Sequence, residues 1–329
     1  MAHEITENMI AWKNETPWHG LGVNVNPNAT GEQMLIAAKM NWRVQRRTLA
    51  MRDAQGQSLL TEPLANFKAI VRSDNNRVFA IPTADYNVVQ NIEIIDLFRE
   101  YCEAGHATMD VVGALRGGAV VWALAKLNGR TTTSIKGVDP VTGYILFTTS
   151  HDCSLMTTGK ATQTRVVCAN TLAAALGDGR KAEFKLKHSA KFTEQRKAEA
   201  KEVMGIAVEA IEETNQHAEK LADVHIDHSD WLDFMGRLMG GNDAVINPKT
   251  AELTRVAADI QEATVSSPGS NLVSAKSTLW GAVNGVTYYT DHRRGRTQDT
   301  RLASAWFGDS DLMKRKAMQV AYDMATLGA

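Results

Sequence analysis

Cysteine is scarce: only Cys102, Cys153 and Cys168 occur in 329 residues. An odd number with no CxxC spacing argues against a disulfide framework and against a four-ligand zinc site, and it suits a reducing cytoplasm. A surplus of charge is lacking too. The 36 lysines and arginines face 37 aspartates and glutamates, so bulk charge alone will not draw the chain to a polyanion. Long apolar runs are missing: the longest, 119–125, is strand-sized and far short of the roughly 20 residues that span a bilayer. Residues 1–14 are polar and acidic, without the basic and then apolar blocks of a secretory signal, so a cytoplasmic protein with no membrane partner is expected. No G-x-x-x-x-G-K-[ST] loop, H-E-x-x-H pair or G-x-S-x-G elbow occurs, which disfavours the mainstream nucleotide hydrolases, zinc proteases and serine hydrolases and implies no cofactor.

What is present describes a globular chain of mixed class. Hydrophobic residues make up 44 % and charged residues 22 %, enough to build a core and too apolar for wholesale disorder. Met34, Leu35 and Ala38 follow a capping Thr30 at helical spacing, which predicts a short helix over 31–39. Strand texture follows in 41–53 and 67–73, with 74–76 turning into 77–82 as a hairpin. Val88, Ile92, Ile95 and Cys102 predict an amphipathic helix over 87–102, capped by Asn87. Segments 119–127, 144–150 and 164–168 are strand candidates, the first apolar on both faces as in a doubly covered strand. Trp122, Phe147, Ile145, Val166 and Val120 should be buried. A short helix over 171–176, capped by Asn170, is expected next, then a strand at 183–188.

Beyond residue 188 the signal is helical: a long helix over 189–221, then 231–239, 250–263, 277–289 and 309–327. The expected class is α+β, an antiparallel curved sheet packed on a long helix and followed by a helical C-terminal part. The division is 1–188 for the mixed body and 189–329 for the mainly helical part packed on it.

Three basic clusters stand out. Residues 180–201 hold eight lysines and arginines against three glutamates, whereas 202–230 hold eight acids and one lysine. A strand entering a helix with such clustering can follow a phosphate backbone, although charge blocks are more often a solvated face. The second cluster is Arg293, Arg294 and Arg296 with Arg301; the third is Arg43, Arg46, Arg47 and Arg52, interleaved with Trp42. Cys168 lies at an expected strand-to-helix junction, where a helix terminus can activate a thiol, but buried inert cysteine is the commoner outcome. His151, Asp152 and Cys153 are adjacent and would face opposite sides of a strand, so they cannot close on one ion. His225 to His228 lack a second ligand cluster and read as a loop joining two helices, leaving no metal site. Leu115-Arg116-Gly117-Gly118 reads as a hairpin entry.

Several separated blocks, Thr16-Pro17-Trp18-His19-Gly20-Leu21-Gly22, 86–91, 115–127, 165–172 and 280–284 with Asp291-His292, together resemble a phage/plasmid-like protein family catalogued as domain of unknown function 932. One departure is Cys153, where the family pattern has glycine after the aspartate. The resemblance implies a home on mobile genetic elements in bacteria and, by analogy of fold with single-strand annealing proteins, curved strands on a long helix beside a basic groove.

Three functional readings stay open. In the first, a DNA-binding accessory protein, such as a single-strand annealing or recombination factor assembling into homo-oligomers, holds single-stranded DNA through Lys185, Lys187, Lys191, Arg196 and Lys197 with Arg293, Arg294 and Arg296, and stacks bases on Trp42 or Tyr289. In the second, an enzyme has a pocket of Trp18, His19, Cys168, Asn170, Asn284, Asp291 and His292, where polar side chains recur beside glycine turns and strand ends. In the third, a non-catalytic protein inhibits a host factor.

Overall fold

The computed structural model describes residues 9–14, 22–57, 66–103, 106–129, 131–165, 170–173, 183–295, 304–306 and 308–327. Among them runs a nine-stranded sheet. Its order is β11 (Asn170–Ala173), β10 (Thr157–Arg165), β9 (Asp139–Ser150), β7 (Val120–Leu127), β6 (Ala107–Leu115), β1 (Ile10–Trp12) and β2 (Val23–Asn24), with β8 (Thr133–Ile135) on β9 and β12 (Glu183–Leu186) on β10. Only β1 and β2 pair in parallel; every other ladder is antiparallel. A separate three-stranded sheet has the order β3 (Val44–Thr48), β4 (Lys68–Arg72), β5 (Val78–Ala80).

The central strand β7 is covered on both faces, as its unbroken apolar run predicts. Val121, Ala123 and Ala125 join Ile145 and Phe147 in one core, while Val120, Trp122 and Leu124 join Leu146 and Trp306 in another. Trp122, Phe147, Ile145 and Val120 are buried as expected, each stabilising by roughly 1.5 to 3 kcal/mol when fully removed from water. Val166 lies outside the described residues. The first core also takes Met34 and Leu35 from α1 (Gly31–Ala37), Ile94 and Phe98 from α2 (Asn91–Glu103), and Ala200, Ala207 and Ile211 from α3 (Glu194–Asp223).

Local chemistry accounts for the element ends. Thr30 caps α1 in a reciprocal box with Gln33. The second predicted helix starts at Asn91, later than its apolar spacing suggests. Gln90 donates its backbone N–H to Glu93 at 2.7 Å, while Asn87 is drawn away by its backbone N–H bond to the His188 carbonyl at 2.6 Å. The Leu115 to Gly118 hairpin entry is observed, with Gly117 and Gly118 at φ 66° and 97°. The helix expected from residue 171 is corrected: Asn170–Ala173 is a strand whose Thr171 and Leu172 face Thr164 and Gln163 of β10. A free edge of β10 won over the capping pattern of Asn170.

Beyond α3 the chain is helical: α4 (His228–Met239), α5 (Asn242–Val245), α6 (Arg255–Ser266), α7 (Leu279–Tyr288), a π turn at Tyr289–Arg293, and α8 (Asp309–Leu327). Their core gathers Leu221, Trp231, Phe234, Ile260, Trp280 and Val283, together with Ile135 and Val141 from the sheet. Asp227 caps α4, so 225–227 is a helix-joining loop as expected, while His228 opens the helix itself. No helix among the described residues is long and apolar enough to cross a membrane.

Candidate nucleic-acid interface and a cationic cleft

Several cations of the first two basic clusters are paired with carboxylates. Lys185 meets Glu183 at 2.8 Å, Lys197 meets Glu194 at 2.7 Å, and Arg196 pairs with Glu199. Arg293 grips Glu262 on α6 through two bonds of 2.6 and 3.1 Å, and Arg294 lies 3.9 Å from Asp309. Arg296 lies outside the described residues. Lys187 and Lys191 are exposed and, among the described residues, meet no carboxylate.

The third cluster differs. Arg46 donates to the Ala84 carbonyl, Arg47 to Gln45 Oε1 at 3.0 Å, Arg52 to the Gly56 carbonyl at 3.2 Å and Lys68 to Thr48 Oγ1 at 3.3 Å. Arg77 lies over the Phe79 ring at 6.0 Å. All of these partners are neutral. Together with Arg43 they surround the small sheet, and among the described residues none of the six pairs with a carboxylate. β3 is an edge strand, so successive Arg46 and Arg47 project to its opposite faces and flank the edge. Phe67, 42 % exposed, sits at the start of β4 as a ring open to stacking. The stacking expected of Trp42 and Tyr289 is corrected. Trp42 is 6 % exposed beneath the Arg72 guanidinium, 4.6 Å from its ring, and Tyr289 is 8 % exposed in the helical core.

Four of the proposed pocket residues are described: Asn170, Asn284, Asp291 and His292. Trp18, His19 and Cys168 lie outside the described residues, and Asn170 is in β11. Asn284 is buried in α7 and donates to the Trp280 carbonyl at 2.8 Å. Asp291 is tied to Lys314 of α8 at 2.9 Å with both side chains 2 % exposed, and His292 packs against Tyr288 at 4.5 Å.

A cleft of about 600 Å³ opens between β10, β12, the 153–156 turn and the first turns of α8. Lys160, from β10, points into the region where Asp311 stands 3.3 Å away, and it donates to the Trp306 carbonyl. Asp311 also accepts from Arg315 at 3.0 Å, so one carboxylate serves two cations. Burial pulls the Lys160 ammonium down to about 8, with Asp311 opposing. Lys185 and Lys187 stand on the opposite wall with Glu183. His188 stacks on Tyr86 at 4.5 Å, with one ring nitrogen 2.9 Å from the Asn87 carbonyl and the other 3.1 Å from that of Leu155. A neutral ring can donate to only one of them; burial nevertheless lowers its pKa, outweighing the pull of the two carbonyls. Cys153, at φ 64°, forms the lip beside Tyr86. Burial raises the Tyr86 hydroxyl first, the nearby Cys153 second.

Below the small sheet, His151 is fully buried between Trp42 and Phe79, with ring centroids 5.7 and 5.6 Å away. Asn91 uses its amide to donate to the Met40 carbonyl at 2.8 Å, which leaves its Oδ1 as acceptor for His151 Nε2 at 3.0 Å. Nε2 therefore carries the proton. Nδ1 faces no partner among the described residues, and burial lowers the ring's pKa to about 3.

Of the cations lining this cleft, sequence reasoning singled out Lys185 and Lys187, as backbone contacts to a nucleic acid, and did not single out Lys160 or Arg315. A single lysine in the polar strand 157–165 carries no signal of its own, because its role depends on α8 arriving from 150 residues away. A family model described as a domain of unknown function (DUF932) matches residues 78–306. Comparison with curated proteins and with solved structures finds no match.

Proposed function

The chain belongs to the DUF932 family, and from that premise we propose that it binds single-stranded nucleic acid along the three-stranded sheet. The observation that carries this reading is the set of six cations, Arg43, Arg46, Arg47, Arg52, Lys68 and Arg77, that surround β3–β5 without a carboxylate partner among the described residues. A cation already engaged by a carboxylate must lose that partner to gain a phosphate, whereas these need only shed water and neutral contacts. Phe67 supplies an exposed ring at the sheet's margin, and an aromatic face accepts any base. Binding of this kind is tolerant of sequence. It suits the phage or plasmid setting that the sequence resemblance implies, in which annealing or recombination of single strands is the activity we assign.

Fluorescence anisotropy of a labelled mixed-sequence oligonucleotide tests it. The double variant Arg46→Glu/Arg47→Glu should weaken binding by about tenfold or more and flatten the salt dependence by roughly 0.7 per lost phosphate contact. Reversal of Lys197 and Arg196, each already paired, should do less. Equal affinity of wild type and the Arg46/Arg47 variant would overturn the placement.

A further inference from the structure

Strand alternation carries one lysine to the edge of the first core. Around β1, Met9 and Ala11 join the core that holds α1 and α2, whereas Ile10 and Trp12 join the opposite cluster, so Lys13 falls on the α1 and α2 side. Its backbone N–H donates to the Asp110 carbonyl at 2.9 Å, which continues the pairing with β6. There Lys13 lines a hollow of about 680 Å³, half open to solvent, between α1, α2 and the start of β6. The residue is 7 % exposed, and among the described residues its side chain makes no hydrogen bond or ion pair; Cys102 and Asp110 act on it from a longer range. Burial lowers the pKa of the Lys13 ammonium, outweighing the pull of Cys102 and Asp110. Burial also raises the Cys102 thiol, so no thiolate stands beside the amine near neutral pH. A lysine in this setting offers its nitrogen electron pair more readily than an exposed one. Ile92, Ile95, Ala107 and Met109 supply apolar wall to the hollow, whose size suits a small molecule. Its lining carries three carboxylates, Glu32, Asp96 and Glu103, against Lys13 and Arg99, a balance that disfavours an anionic guest.

From this convergence we propose that Lys13 is the nucleophile of a covalent site for a small uncharged aldehyde, which the hollow holds as an imine on Nζ. The Nζ electron pair attacks the carbonyl carbon, the carbonyl π pair moves to oxygen, and that oxygen takes up one proton released by the nitrogen. The resulting carbinolamine loses its hydroxyl together with the second nitrogen proton as water, while the nitrogen pair closes the C=N bond. Nothing is oxidised or reduced, and no co-reactant is needed. The apolar wall receives the body of the aldehyde, and the carboxylates select against keto acids. The site shares no residue with the cationic sheet or with the cleft between β12 and α8, and it stands without the nucleic-acid reading.

Brief treatment of the full chain at pH 7 with limiting benzaldehyde and sodium cyanoborohydride, which reduces the imine to a stable secondary amine, tests the proposal by peptide mass mapping. Lys13 should be labelled about tenfold or more faster than the exposed Lys187 and Lys191, since each unit by which an ammonium pKa falls raises the amine fraction about tenfold. Glyoxylate, an aldehyde that carries a carboxylate, should favour Lys13 over those two lysines less than benzaldehyde does. Both measurements use the wild-type chain. Ile92→Trp, which fills the hollow and leaves Lys13 in place, should slow the Lys13 label severalfold without changing the rates at Lys187 and Lys191. Equal rates at Lys13 and the exposed lysines, a stronger preference with glyoxylate, or an unaltered Lys13 rate in Ile92→Trp would each overturn it.

Discussion

His151 is held as a neutral ring by the company it keeps. Its Nε2 proton goes to Asn91, and the other nitrogen lies in an aromatic box where a charge would have no partner. The sign of its pH effect follows. The folded pKa, about 3, lies below the 6.5 of the unfolded chain, so the unfolded state takes up the proton first. The stability at stake is complete above pH 6.5 and is lost as pH falls toward 3, at about 1.4 kcal/mol per pH unit in that window. Denaturant unfolding of wild type and His151→Gln from pH 7 to 4 should show a shallower loss in the variant; parallel curves would refute the assignment. Cys153 shows the opposite relation of sequence to structure. The sequence resemblance implies glycine there, and the backbone at φ 64° lies in the region that suits glycine and strains a residue with a Cβ.

Among elements, legibility followed periodicity. The apolar spacing of α2, α4, α7 and α8 is plain in the chain, and the last was predicted to its end residues. β6 was not legible. Ala107–Leu115 is buried on both faces and so lacks alternation, and Gly113 in its middle resembles a turn residue. The glycine is there for the neighbouring strand: a Cβ at Gly113 would lie 2.4 Å from the Trp122 ring. Gly113→Ala should therefore destabilise the protein by roughly 1 to 3 kcal/mol through overpacking. The same change at Gly205, exposed on α3 with nothing within 4 Å of a new Cβ, should stabilise it by roughly 0.5 to 1 kcal/mol. Denaturant midpoints check both, and a shared sign would contradict the account.

For the whole molecule, charge is the quantity that sequence order conceals. The block 180–201 is the most basic run in the chain, yet glutamates one turn away or on the same strand engage Lys185, Arg196 and Lys197. The arginines of 43–52 looked weaker and are the ones without carboxylate partners among the described residues. Asp291 illustrates the same concealment. Its place among polar side chains beside a glycine turn suggested a pocket, but α8 brings Lys314 to it, and the two form an ion pair closed off from water. Asp291→Ala, which removes this carboxylate from a buried ammonium, should cost about 3 to 5 kcal/mol, whereas Asp291→Leu with Lys314→Met should recover most of that loss. Thermal unfolding of the single and double variants decides it, and an equally damaged double variant would show that the pair is not what holds α8.

β9 runs through all three hydrophobic clusters: Phe147 and Ile145 in the first, Val141 in the helical one, and Leu146 with Tyr144 in the third. It acts as a common keel: a disturbance that loosens any one cluster reaches the other two along a single twelve-residue strand.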